Sequence, residues 1–407
     1  MDASETRTSV VPAFPWLALI ILAGAVFVCV TSEFLPTGLL PQMADGLNVS
    51  ESQIGLLVTV FAGTVVLSAA PLTALTHRIG RKPLVLTSLL LFAVVNFVGA
   101  IAPNYEITMT ARVLGGLAHG LFWAVVGAYA GHLVPRRQLA RAVAVSGAGA
   151  TLAFVLGVPI ATALGQAFGW RLAFTAVGIA IVILVVLVAR FLPPVSHREE
   201  LKTGEIPVSV RRDPSIFGIA VLCLVTTVLM IGQNLFYTYI VPFVTTTAGF
   251  TVQSVAPLLL AYGLAGAVGL FLVGVVGARF PRASLIGAFV VVAAAVLLIA
   301  SFPQVGWLVI VALVIWGMAF GGTPALLQTR LLHTASARLR DVSAAYFTSA
   351  FNVGIGGGAL IGGILLDRFS LGVLPFVDVA VTAVGIAIIL IGDRLLRRRA
   401  ARFALPG

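Results

Sequence analysis

The sequence predicts an all-α membrane protein of twelve transmembrane helices in two pseudo-symmetric six-helix bundles. Three observations carry that prediction. Of 407 residues, 60% are hydrophobic and only 10% are charged, with a mean hydropathy of +1.11. About 244 apolar residues is close to what twelve spans of ~20 residues consume, because a hydrocarbon core of ~30 Å is crossed at 1.5 Å per residue. The apolar runs also fall into two sets of six, with basic residues gathered in alternate loops. Ordinary globular chains carry roughly 25% charged residues, so a water-facing catalytic module and a disordered chain are both excluded.

Taken in order, the apolar runs place span 1 at 15–38, span 2 at 53–76, span 3 at 83–102, span 4 at 107–131, span 5 at 142–164 and span 6 at 171–192. Span 7 follows at 215–240, span 8 at 253–278, span 9 at 283–302, span 10 at 306–332, span 11 at 343–366 and span 12 at 373–393. The polar stretch Pro193 to Pro214 separates the two sets. The expected organisation is therefore a cytoplasmic tail at 1–14, a first bundle at 15–192, a cytoplasmic linker at 193–214, a second bundle at 215–394 and a basic tail at 395–407. The first run, from Trp16, is longer than a signal-peptide core and lacks a cleavage site, so it reads as a retained span.

The formal charge of +11 suggests a polyanion such as nucleic acid until the charges are placed. With the N-terminus inside, 22 of the 25 Lys and Arg residues fall in inner segments, and only Arg112, Arg171 and Arg368 lie within or at the outer ends of spans. That is the positive-inside pattern of a multi-pass protein of the bacterial cytoplasmic membrane with both termini cytoplasmic, and no nucleic-acid partner is expected. Cys29 and Cys223 both sit in apolar runs, which offers neither a disulfide framework nor a metal site. The halves also echo each other: His77-Arg78-Ile79-Gly80-Arg81 after span 2 aligns with Ala278-Arg279-Phe280-Pro281-Arg282 after span 8. Two six-span repeats place a substrate site at the midplane between them.

Several segments, in this order and spacing, resemble the major facilitator superfamily, and within it the twelve-span drug:proton antiporters with their sugar and nucleoside efflux relatives. The loop after span 2 matches the family pattern at Leu75, Arg78, Gly80, Arg81 and Lys82, and departs from it at Thr73 and His77, where Gly and Asp are usual. Arg112 in span 4 is similar to the family's outer-end arginine. Gly149, Gly157 and Pro159 resemble the antiporter motif of span 5, with Val158 where a further Gly is common. GWRLAF at 169–174, YTYIVPF at 237–243 and AFNVGIGGGALIGG at 350–363 resemble efflux-branch segments. The resemblance implies export by alternating access, with the loop after span 2 acting as a cytoplasmic latch. His77 replaces the usual latch carboxylate, so Asp341 at the start of span 11 is expected to accept Arg78 or Arg81 instead.

Ionisable groups inside a membrane are costly and mark pathways. Of the fourteen acidic residues, Glu33 reads as the one well inside a span, ~7.5 Å from the outer end of span 1. It either binds the coupling proton or hydrates the outer end of its helix. Arg112 lies at nearly the same depth, so it either pairs with Glu33 or bonds backbone carbonyls. Arg112, Gly116, His119 and Trp123 recur at helical spacing on one face of span 4. The ordinary pKa of histidine, ~6.5, suits proton exchange, although a lone His between glycines also serves packing.

The expected substrate cavity combines Phe122 and Trp123 of span 4, Gln233, Asn234 and Tyr237 of span 7, Trp316 of span 10, and Phe351 and Asn352 of span 11. Aromatic and amide groups in a cavity poor in acids suit a moderately hydrophobic organic compound. Gly354, Gly358 and Gly362 recur every fourth residue of span 11 and predict close helix contact, and Gly157 with Pro159 predicts a bend in span 5. No Gly-Lys-Ser or Gly-Lys-Thr is present to hold a nucleotide. The chain is thus expected to be no enzyme, to use no cofactor or metal, and to work as a monomer. The reading is a proton-gradient-driven antiporter exporting a drug-like compound. The alternative is a sugar or nucleoside efflux permease, ahead of an uncoupled facilitator or a membrane sensor.

Overall fold

A computed structural model of the chain describes residues 14–76, 79–194, 213, 215–277, 279–336 and 339–403. It contains twelve helices long and apolar enough to cross a membrane. In the first half these are Trp16–Gly38, Glu51–Thr76, Arg81–Ile101, Tyr105–His132, Arg141–Phe168 and Trp170–Phe191. In the second they are Ile216–Tyr237, Val252–Val275, Pro281–Ser301, Gly306–Thr334, Val342–Arg368 and Leu371–Leu396. Each corresponds to one of the runs expected above, within a few residues. An offset of 200 or 201 residues carries the starts of the first six onto those of the second six.

Within each half, small residues let the helices close up, since apolar side chains alone gain little by association in lipid. A Cβ on Gly149 would strike the carbonyl of Ala23, and one on Gly157 the Thr31 hydroxyl, so these glycines seat span 5 on span 1. The bend expected from Gly157 and Pro159 takes the form of a π-helical turn, Ala153–Gly157, which leaves room for a proline that has no N–H to donate. In span 11, Gly354, Gly358 and Gly362 all face the backbone of span 7, as their spacing predicts.

The two halves meet along spans 2 and 11 and spans 5 and 8. Towards the end of the molecule away from the termini, Thr59 donates to the carbonyl of Gly356 at 3.0 Å, and the Tyr239 hydroxyl donates to the carbonyl of Ala359 at 2.9 Å. The Tyr239 ring also covers Gly55 of span 2. At the end that carries the termini the same spans part. Leu67 and Leu75 of span 2 are 78% and 76% exposed, Val275 of span 8 is 63% exposed, and Tyr346 of span 11 is 50% exposed. Residues 73–75 are all exposed, more than half a turn of helix, which a single lipid-facing stripe does not account for. Among the described residues, the halves are bonded together at the far end and part at the basic end.

Candidate functional site

Glu33, Arg112 and His119 are all buried. Span 1 supplies the carboxyl and span 4 the two basic groups, one helical face presenting both as the spacing predicts. His119 Nε2 lies 3.5 Å from Glu33 Oε2 and accepts the Trp123 indole N–H at 2.5 Å. Phe61 and Phe92 close around the imidazole edge-on, with ring centroids 5.2 and 5.9 Å away. Since Nε2 accepts from Trp123, the proton of the neutral ring sits on Nδ1, which has no partner.

Arg112 does not pair with the Glu33 carboxylate in this conformation, contrary to one of the two expectations. Its guanidinium donates to three backbone carbonyls, those of Glu33 at 2.8 Å, Ser32 at 3.1 Å and Leu57 at 3.4 Å, and lies 4.2 Å over the Phe61 ring. The backbone therefore satisfies the charge, and the carboxyl is left to His119. Ser32 in turn exchanges hydrogen bonds with Asn96 of span 3. A small internal cavity, with room for roughly one water, lies among Ser32, Asn96, Thr108 and Arg112.

The second half holds a different group. The Trp316 indole donates to Gln233 Oε1 at 2.8 Å, and Gln233 Nε2 donates to the Tyr262 hydroxyl at 3.0 Å. Tyr237 packs on Tyr262 with centroids 5.1 Å apart, and Phe236 stacks on Trp316 with planes 6° apart. Gln233, Tyr237 and Trp316 thus come together as expected, and Tyr262 of span 8 completes the group. The other expected cavity residues separate from it. Asn234 donates to Met230 and faces Gly358 of span 11, Asn352 donates to Thr348, and Phe351 packs on Phe347. Phe122 is fully buried in the first half, edge-on to Trp123.

Glu33 is not the only deep acid. Asp378 of span 12 is 1% exposed, and Asp393 is buried at the other end of that span. Both lie in a run already read as a span or at its edge; a run judged by mean hydropathy hides a single acid flanked by valines. Asp393 forms ion pairs with Arg282 and Arg330. The position 200 residues before Arg282 is Lys82, which donates to the carbonyls of Ala189 and Leu192 at 2.8 and 2.7 Å. Each half therefore ties span 3 or 9 to span 6 or 12 with a cation at the same place. Of the expected latch, Gly80 and Arg81 open span 3, while His77, Arg78 and the side chain of Asp341 lie outside the described residues.

Twelve spans in two repeats, with a buried carboxyl–imidazole pair in one half and an amide–aromatic group in the other, are the architecture of a membrane transporter. The model of the Major Facilitator Superfamily matches residues 22–356 and 222–404, and the chain belongs to that family. It is 30% identical over 364 residues, 89% of the chain and 92% of the relative, to a protein of Helicobacter pylori (strain G27) named "Probable sugar efflux transporter". A protein of the same name from Mannheimia succiniciproducens is 29% identical over 91% of the chain and 92% of the relative. Among solved structures, the bacterial homologue of the human lysosomal transporter Spinster, inward-facing and unoccupied, matches with a TM-score of 0.73 at 16% identity, covering 94% of this chain and 98% of that one. A mutant of the nucleoside transporter NupG matches with a TM-score of 0.73 at 14% identity, over 93% and 99% of the two chains. The solved structures share the fold, and the names of the two sequence relatives fall on the sugar side of the alternatives.

Proposed function

We propose that this transporter exports a small, neutral, hydroxyl-rich solute of the sugar or nucleoside class in exchange for protons taken up at Glu33 and His119. The observation that carries the reading is the division of labour between halves. Titratable groups gather in spans 1 and 4, whereas the group in spans 7, 8 and 10 bonds through a neutral amide, a phenol and an indole. Aromatic faces offer surface to the C–H faces of a sugar or base, and an amide both donates to and accepts from hydroxyls. The names of the relatives support the same solute class.

The geometry supports a proton step of the following kind. Nε2 of neutral His119 has a single lone pair, taken by Trp123, and no proton to offer, so it gives an ionised Glu33 carboxylate 3.5 Å away no partner and suits the neutral acid. Once ionised, the carboxylate turns to the nearest fixed cation, Arg112, whose guanidinium already holds the backbone of Glu33. Exchange between these partners shifts span 1 against span 4, and through Gly149 and Gly157 moves span 5 as well. With both termini cytoplasmic in a bacterial inner membrane, the open end faces the cytoplasm, the side from which an exporter loads. A monomer contains all of these parts.

Proteoliposomes with an imposed pH gradient, offered hexoses, disaccharides, nucleosides and a lipophilic cationic dye in turn, test the reading. A sugar or nucleoside is expected to accumulate in the acidic compartment and to leave when the gradient collapses. Accumulation of the dye alone would restore the drug-efflux alternative. Solute movement indifferent to the gradient would make the protein a facilitator, and no movement of any solute would make it a sensor.

A further inference from the structure

The proposed cycle uses the carboxyl of the first half and leaves Asp378 without a task. Asp378 lies seven residues inside the start of span 12 at Leu371, ~10 Å along the helix, and is 1% exposed. Its Oδ1 accepts the Thr382 hydroxyl at 3.1 Å, while its Oδ2 has no partner. Span 7 presses Gly232 against it, so closely that a Cβ there would lie 2.8 Å from Oδ1 and 3.0 Å from the Thr382 hydroxyl. The carboxyl is thus walled in by helix backbone beside Gln233.

Among the described residues no cation pairs with it. Among the described residues the ion pairs are His119 with Glu33, and Arg282 and Arg330 with Asp393; none reaches Asp378. Span 7 contributes no Lys, Arg, His, Asp or Glu. The only such residue of span 9 is Arg282, already held by Asp393. Span 11 carries Asp367 and Arg368 at the outer end, the end nearer Asp378, but both are exposed there, and span 8 offers only the neutral phenol of Tyr262. An ionised carboxylate with one hydroxyl partner and one bare oxygen in the membrane interior costs several kcal/mol. A protonated carboxyl costs far less, because it carries no net charge while Oδ1 keeps its bond from Thr382.

We propose that Asp378 is a second proton-binding carboxyl of this transporter, seated against Gly232 in the second half and separate from the Glu33–His119 pair. The proton is held as the O–H of the neutral acid in the conformation described, and it leaves to water when span 12 and span 7 part. The site goes beyond the export reading and does not depend on solute identity. It is also no copy of the first site, since the position equivalent to Asp378 in the first half is Val177.

Infrared spectroscopy of the full chain in lipid, in light and heavy water near neutral pH, reads the C=O stretch of protonated carboxyls directly. Asp378→Asn is expected to remove one deuterium-sensitive band that Glu33→Gln leaves in place. Thr382→Val keeps the acid and is expected to shift the same band, and Asp378→Glu, a milder change should the Asn variant not assemble, is expected to move rather than delete it. A protonated-carboxyl region identical in parent, Asp378→Asn and Asp378→Glu would overturn the proposal. Because no solute enters the measurement, a failure of proton-coupled export would leave this result standing, and the reverse also holds.

Discussion

The two halves are built on one helical plan and differ in what they put at its equivalent positions. An offset of 200 carries Glu33 onto Gln233, and an offset of 201 carries Phe61 onto Tyr262 and His119 onto Phe320. In the first half spans 1, 2 and 4 meet around an acid, a phenyl ring and an imidazole; in the second, spans 7, 8 and 10 meet around an amide and a phenol at the equivalent positions and an indole, Trp316, one turn before the counterpart of His119. Replacing an acid by its amide preserves shape and removes titration. The comparison teaches that the repeat supplies position, while one or two atoms per side chain decide whether that position can titrate.

Removing the large rings should separate the halves most strongly. Trp316 is fully buried, stacks on Phe236 and holds Gln233, whereas Trp123 is half-buried. Trp316→Ala is expected to cost about 3 kcal/mol of stability and to abolish solute binding, by analogy with other truncations of buried aromatics. Trp123→Ala is expected to cost less and to alter the pH dependence of transport while solute binding persists. Thermal unfolding in detergent with equilibrium solute binding checks both. Equal losses in the two variants would erase the distinction.

Gln233→Glu makes the second half resemble the first. The Tyr262 hydroxyl, which now accepts from the amide, can rotate to donate to a carboxylate, so the variant is expected to fold. Solute affinity should gain a further pH dependence, beyond the one that Glu33 and His119 give the parent. It should stay near the parent value while the new acid is protonated and fall about tenfold, ~1.4 kcal/mol, once it is ionised at higher pH. Binding measured across pH by calorimetry would show it, and a profile unchanged from the parent's would mean that Gln233 does not touch the solute.

The smallest expected effect is that of Tyr262→Phe, which restores the ring of its counterpart Phe61. It removes one neutral hydrogen bond and should weaken binding by about 1 kcal/mol, roughly fivefold. The converse change, Phe61→Tyr, adds a hydroxyl beside Arg112 and His119 and should leave solute affinity unaltered. An affinity change in the second variant as large as in the first would place the solute in both halves alike.

All twelve spans are legible in the sequence because the length and apolarity of a run are one-dimensional properties. So is the close packing of span 11, since Gly354, Gly358 and Gly362 mark one face whatever they meet. The candidate site is legible only in part. That Glu33, Arg112 and His119 share a region follows from depth and helical phase, but which atom meets which depends on the rotation of span 1 against span 4. That rotation gives His119 the carboxyl of Glu33 and gives Arg112 its carbonyl. Tyr262 is unreadable alone and plain once its offset from Phe61 is applied. Asn234, adjacent to Gln233, faces span 11 because successive helical residues point ~100° apart.

The central claim is that the first half carries the coupling proton while the second holds the solute. It is tested most directly in proteoliposomes bearing Glu33→Gln, by recording uphill accumulation under a pH gradient alongside solute exchange at equal pH. The account predicts that the variant loses accumulation and solute-induced proton flux, yet exchanges solute across the membrane at a rate close to the parent's. Undiminished accumulation by Glu33→Gln would contradict it.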